Sequence, residues 1–164
     1  MLMVAVLALT IGLLVAIPVW QTVLQREKEE ELIFRGKQYA EAVRIYTAKK
    51  PGRFPSTLEE LFKAKCLRKL YRDPTTPSGE WNVILNPGTP GSASGPGGAA
   101  QEVLVAPESV VSSIKNAMVI GVVSSSTAKS VKVYYDQESY DKWLFYFGQD
   151  PKKLPKISYY GKKD

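Results

Sequence analysis

The first fifty residues of this chain constrain its fold more than any other stretch. MLMVAVLALTIGLLVAIPVWQTVL carries no charged side chain, every residue from Arg26 to Glu31 is charged, and Leu32, Ile33 and Phe34 are apolar again. No proline falls between Gln25 and Lys50, and the Glu, Lys, Arg, Ala and Gln that fill the segment favour helix. Ile33, Gly36, Tyr39, Ala40, Val43 and Tyr46 (or Thr47) recur at three- and four-residue steps and form one apolar stripe. Glu27 and Glu31 lie one turn apart and repel, whereas Glu31 and Arg35 attract. Lys49 and Lys50 suit a helix C-terminus, and Pro51-Gly52 ends it. At about 1.5 Å per residue such a rod reaches on the order of 75 Å. The sequence predicts a transmembrane helix over 1–25, an amphipathic stem helix over 26–50 and an α+β head over 51–164.

The uncharged run meets the length of about 20 apolar residues that a bilayer core asks of a helix. A cleaved secretory signal has basic residues ahead of an apolar core of roughly 7–15 residues. Nothing basic precedes this run and no small-residue cleavage site follows it. The expectation is a single anchor, placed in a bacterial inner membrane with the head in the periplasm or outside the cell. Within it Pro18 should loosen the helix, since proline cannot donate to the carbonyl four residues back. Trp20 sits where an interfacial aromatic would. Ala5, Ala8, Gly12 and Ala16 recur along one face and permit close approach of a second helix.

Composition removes whole classes of chemistry. The chain has no histidine, which excludes Ser-His-Asp and Cys-His catalysis and His-dependent zinc sites. Cys66 is alone, so no internal disulfide forms, and near Lys65 and Arg68 it reads as a partly buried thiol. The net charge of +6 includes lysines 152, 153, 156, 162 and 163, a basic tail read as solubility or disorder. Ser124-Ser125-Ser126 near Lys129 reads as a turn, not a nucleophile. Gly95, Gly97 and Gly98 lack the Lys-Ser/Thr of a phosphate loop. Tyr134, Tyr135, Tyr140, Trp143, Phe145 and Tyr146 read as sheet core, not a base-stacking platform. The sequence is therefore not read as an enzyme, and neither nucleic acid nor a cofactor is expected.

In the head, Ser56 and Glu59 form a capping box opening a short helix through about Lys65, with Leu58, Leu61 and Phe62 inward. Asp73-Pro74 starts a turn and WNVIL at 81–85 is a strand. Residues 86–101, rich in Gly, Pro, Ala and Ser, should form a flexible surface loop. Strands follow at 103–106 and 117–123, the second with a bulge at Gly121. SVKVYY alternates, with Val131, Val133 and Tyr135 on one face, and WLFYF at 143–147 should pair with it. A small antiparallel sheet packed on the stem results, with Ile33, Tyr39, Val43 and Tyr46 as stem core against Val131 and Phe145.

The apolar run ending in Pro18, the amphipathic stem, FPSTLEEL (54–61) and YRDP (71–74, with Asp73 and Pro74) resemble the type IV pilin superfamily, and are most similar to major pseudopilins of type II secretion. The resemblance covers roughly residues 1–85. It implies a pilin-like fold and a structural subunit of a pseudopilus or pilus-like filament serving protein secretion, anchored in the inner membrane before assembly. It further implies self-association and, as partners, a secretion platform protein, an assembly ATPase, a secretin and a prepilin peptidase. The family's cleavage site, a Gly followed by a Phe-type residue and a nearby Glu, is not among these residues, and an in-frame leader upstream of Met1 is the expectation. The paired C-terminal cysteines of many pilins are missing. Family members often hold calcium in an acidic C-terminal loop. Asp136, Glu138 and Asp141 share a turn region here but lack that loop's glycines and oxygen spacing, and read as solvated acids. A DNA- or surface-binding pilin and a non-polymerising signal-anchored periplasmic domain are the alternatives.

Overall fold

The computed structural model describes residues 2–86, 102–150 and 153–161; within 2–19 it describes the backbone, with side chains at Met3 and Val6. The chain is α+β. One helix, α1, spans Leu2–Lys49 and runs through Pro18 without a break in helical assignment. A single proline removes one backbone bond, and the turns on either side carry the helix past it. Lys49 supplies the cation at its C-terminus, and the chain leaves through Gly52, whose φ of 76° suits a residue without a Cβ.

The face of α1 that turns inward is Glu29, Leu32, Gly36, Tyr39, Val43 and Tyr46, at alternating steps of three and four. Tyr39, Val43 and Tyr46 hold the places expected of them. Ile33 is half-buried at the margin and Leu32 takes the inward position. The stripe runs back from Gly36 by four, not three, and so reaches Leu32.

The short helix α2 covers Leu58–Lys63. Its cap is Thr57, whose hydroxyl accepts from the Glu60 N–H, while the Glu60 carboxylate accepts from the Ser56 N–H at 2.8 Å. The capping pair therefore lies one residue later than Ser56 and Glu59. Leu58 and Leu61 are buried, but Phe62 is 48% exposed, because a helix this short turns only one edge to α1.

Strands β1 (Trp81–Leu85), β2 (Glu102–Pro107), β3 (Val119–Ser124), β6 (Phe145–Tyr146) and β7 (Lys156–Tyr159) make a five-stranded sheet in the order β6-β3-β1-β2-β7. A short helix, α3, covers Glu108–Val111. The β1–β2, β1–β3 and β3–β6 pairs are antiparallel, but β7 lies parallel to β2, so the sheet is mixed and not antiparallel as expected. Parallel register sets Ile157 opposite Val103, where it joins the core on the face away from α1. Part of the basic tail is thus a strand. The expected flexible loop lies outside the described residues from 87 onward; Asn86 itself donates its N–H to the Met118 carbonyl at 2.9 Å.

Both faces of the sheet are covered. Trp81, Val83, Leu85, Val119 and Val122 belong to the core that faces α1, and Ile84, Val103, Val105, Ile120 and Val123 to the opposite one. The irregular residue in β3 is Ile120, since Ile84 pairs with Gly121 and Leu85 with Val119. Gly121 serves a different purpose: a Cβ there would lie 2.0 Å from the Phe145 carbonyl oxygen, so its absence lets β6 approach. This explains why the WLFYF segment pairs with β3 and not with β4 (Lys129–Tyr134), which instead pairs with β5 (Gln137–Ser139).

Val131 and Val133 of β4 are exposed, the latter by 62%, and the strand turns its other face inward. Tyr134 fills that place, its ring 5.5 Å from Trp143 and 5.3 Å from Phe145. Among the described residues no helix is long and apolar enough to cross a membrane. That finding overturns the single-pass inner-membrane placement with a periplasmic or external head. From Trp20 onward α1 meets a polar or charged residue in every turn, so no stretch of about 20 apolar residues forms there.

Candidate functional site: the stem junction and the exposed helix face

Among the described residues, burial along α1 begins at Gln25. Residues 20–24 are exposed, Trp20 by 72%, and Val23 and Leu24 are exposed with it. From Gln25 downward hydrogen bonds fasten the helix to the head. The Gln25 amide donates to the Lys129 carbonyl and to the Tyr140 hydroxyl, each at 3.0 Å.

One turn later Glu29 is fully buried. Its carboxylate accepts from the backbone N–H groups of Val131 at 2.7 Å and Lys132 at 2.9 Å, and from the Tyr140 hydroxyl at 2.8 Å. A buried carboxylate is costly unless its lone pairs are met by donors. Here the donors come from an irregular stretch of β4, so the helix supplies an acceptor to strand backbone that the β4–β5 ladder leaves open. Burial first, and the nearby Glu29 carboxylate after it, push the Tyr140 phenol up to about 12, against the Gln25 hydrogen bond.

Glu30 reaches Lys132 at 2.6 Å, and that ammonium holds its carboxyl below the usual range. Glu31 pairs with Arg35 at 2.7 Å, as its spacing implied, and Arg35 also donates to the Arg72 carbonyl at 2.6 Å. The charged collar is thus divided, with Glu29 and Glu30 directed at the head and Glu27 and Glu31 exposed.

Below the collar the stem pins the turn that follows α2. The Tyr39 hydroxyl donates to the Tyr71 carbonyl and accepts from the Tyr71 N–H, both at 3.0 Å, and the Trp81 indole donates to the same carbonyl at 2.9 Å. Burial pushes the Tyr39 phenol above its ordinary value. Asp73 is buried, and its Oδ1 accepts from the Thr75 N–H at 2.8 Å and hydroxyl at 2.6 Å. The Thr75 hydroxyl meets Ser124 Oγ at 2.8 Å, which ties Asp73-Pro74 to the end of β3 and makes Ser124 a fastening of that turn. At the foot, Tyr46 donates to Glu60.

Ala5, Ala8, Gly12, Ala16 and Pro18 lie on α1, and their side-chain surroundings fall outside the described residues. Asp136 and Glu138 are exposed, while Asp141 is half-buried in the middle of the 3-10 turn Tyr140–Lys142 before Trp143. Among the described residues no group of three or more metal-ligating side chains converges. Sequence reasoning missed Glu29 because it sits within a run of charges. The available signal was spacing, since Glu29 precedes Leu32 by three and Gly36 by seven. A scan against protein-family models and searches of curated proteins and of solved structures found no match.

Proposed function

We propose that the chain is a structural subunit of a helical filament of the pseudopilus or pilus kind, serving protein secretion. In this reading the upper half of α1 packs against neighbouring copies, and the pilin-like head decorates the outside. The observation that carries it is the division of one continuous helix. The part from Gln25 down is bonded to the head, while Trp20, Val23 and Leu24 remain exposed. An isolated helix is marginal in water, and a run of exposed apolar side chains marks a surface that meets a partner. A contact between different faces of like copies that does not close into a ring continues as a filament.

The test is to express the chain with its secretion genes, shear the cells and image the sheared fraction by electron microscopy. Filaments are expected from the wild type and their loss from Gly12→Leu, because a bulky side chain forbids close helix approach. No wild-type filaments while the machinery is active overturns the reading.

A further inference from the structure

The foot of the stem carries a cavity of about 620 Å³ lined by Phe62, Lys63, Lys65, Cys66, Leu67 and Arg68. Its charged lining is entirely cationic. Lys63 reaches Glu59 only at 3.8 Å, and among the described residues Lys65 and Arg68 have no ion-pair partner. The backbone adds a second sign. The Cys66 N–H closes on the Leu61 carbonyl at 3.0 Å and Lys65 has a φ of 54°. Glycine fills such a helix end without strain, yet a lysine stands there. Beneath the cations Phe62 offers an exposed apolar ring.

The surface that complements this cavity lies at the other end of the stem. Trp20, Leu24, Glu27, Glu31 and Phe34 follow one another at alternating steps of four and three, all exposed, on the side of α1 turned away from Glu29, Leu32 and Gly36. The stripe is apolar at its ends and acidic at its centre. Glu27 has no ion-pair partner among the described residues, and the Glu31 side chain stays 47% exposed beside Arg35.

We infer that the Trp20–Leu24–Glu27–Glu31 stripe of one copy docks in the Lys63–Lys65–Arg68 cavity of a second copy, a head-to-tail contact repeated along the filament. The inference rests on the filament reading and names the lateral contact that reading needs. Lys49 donates to the Ala64 carbonyl at 3.3 Å, which fixes the cavity at the last turn of α1. Glu27 and Lys49 are 22 residues apart on that helix, about 33 Å, so stripe and cavity of one chain cannot meet. Because the two surfaces differ, the contact is heterologous and shifts each copy along its neighbour. A small inorganic anion would satisfy the cations but not Phe62, whereas the stripe supplies carboxylates flanked by leucine and tryptophan.

Cys66, the single cysteine, makes the test direct. In the 164-residue chain Glu27→Cys is introduced at an exposed position and the protein is treated with oxidised glutathione. A disulfide between the introduced thiol and Cys66 can form only between copies, and each copy offers both halves. The expected result is a ladder of dimers, trimers and longer species on a non-reducing gel, against at most dimers from the wild type. Adding Arg68→Glu should weaken the ladder about tenfold, and Arg68→Lys should leave it. An equal ladder from Arg26→Cys, one residue off the stripe, overturns the inference. So does saturable binding of inorganic phosphate at the cavity with no cross-link. Filaments without the cross-link overturn the inference alone; absence of both overturns the filament reading too.

Discussion

Glu29 and Val131 are separated by 102 residues, yet a carboxylate oxygen of the first lies 2.7 Å from the backbone nitrogen of the second. The bond joins a helix to the main chain of a strand, so it reads position and not side-chain identity. Glu29→Ala leaves two half-buried N–H groups and the buried Tyr140 hydroxyl without their acceptor. An unmet buried donor costs about 1–3 kcal/mol, so a loss of about 3 kcal/mol is expected. Glu29→Gln keeps one accepting oxygen and should lose about 1 kcal/mol. Urea unfolding of the three proteins checks the order; equal stabilities would show that Glu29 does not fasten β4 to α1.

Gly36 faces the Phe145 ring so closely that an added Cβ would sit 2.3 Å from two of its carbons. Replacing glycine by alanine inside a helix favours folding by about 1 kcal/mol. Overpacking a core costs about 1–3 kcal/mol, and Phe145 is too buried to swing aside. The clash should win, so Gly36→Ala lowers the melting temperature. A double-mutant cycle with Phe145→Leu should show coupling of about 1 kcal/mol. Simple additivity would mean that the ring does not rest on Gly36.

Val43 is fully buried in the core that joins stem and sheet. Val43→Asp places a carboxylate there without a partner, a penalty of several kcal/mol that is comparable with a small domain's whole stability of about 5–15 kcal/mol. Loss of near-ultraviolet circular dichroism at neutral pH is the expected outcome. An unchanged melting curve would refute the packing of α1 on the head.

Tyr140 supplies a pH dependence with a definite sign. Its phenol is pushed up to about 12 by burial and then by Glu29, against an unfolded value of about 10. The folded state therefore holds this proton more tightly. Its contribution to stability is fully present below about pH 10 and lost as pH rises toward 12. Between about pH 9 and about pH 11.5 the wild type should lose more unfolding free energy than Tyr140→Phe. Equal losses would show that folding does not hold this proton more tightly.

The long helix and its inward aromatics were legible because spacing alone places Tyr39, Val43 and Tyr46 on one side. The strands at 81–85, 103–106 and 117–123 were legible as apolar runs between turn residues. Glu29 was not, because a carboxylate is normally solvated and its burial depends on donors more than a hundred residues away in sequence. The inward face of β4 was misread for a related reason. Alternation fixes that two faces differ, but Tyr134 and not the valines fits between Trp143 and Phe145. β7 escaped notice because its lysine and tyrosines look like a solvated tail until the register with β2 sets Ile157 opposite Val103. Phe62 was assigned inward from helical spacing, and a two-turn helix is too short for that rule to hold across its width.

At one edge of the five-stranded sheet β6 offers a ladder of two residues, and at the other β7 offers four. Natural sheets guard against unwanted strand addition in this way, with brief edges and charge such as that of Lys156 beside them. Crowding of many copies would give cross-β stacking little to template on, since that process needs long open backbone. Short, charged edges suit this head to high local concentration, since they offer a second sheet little backbone to fuse with.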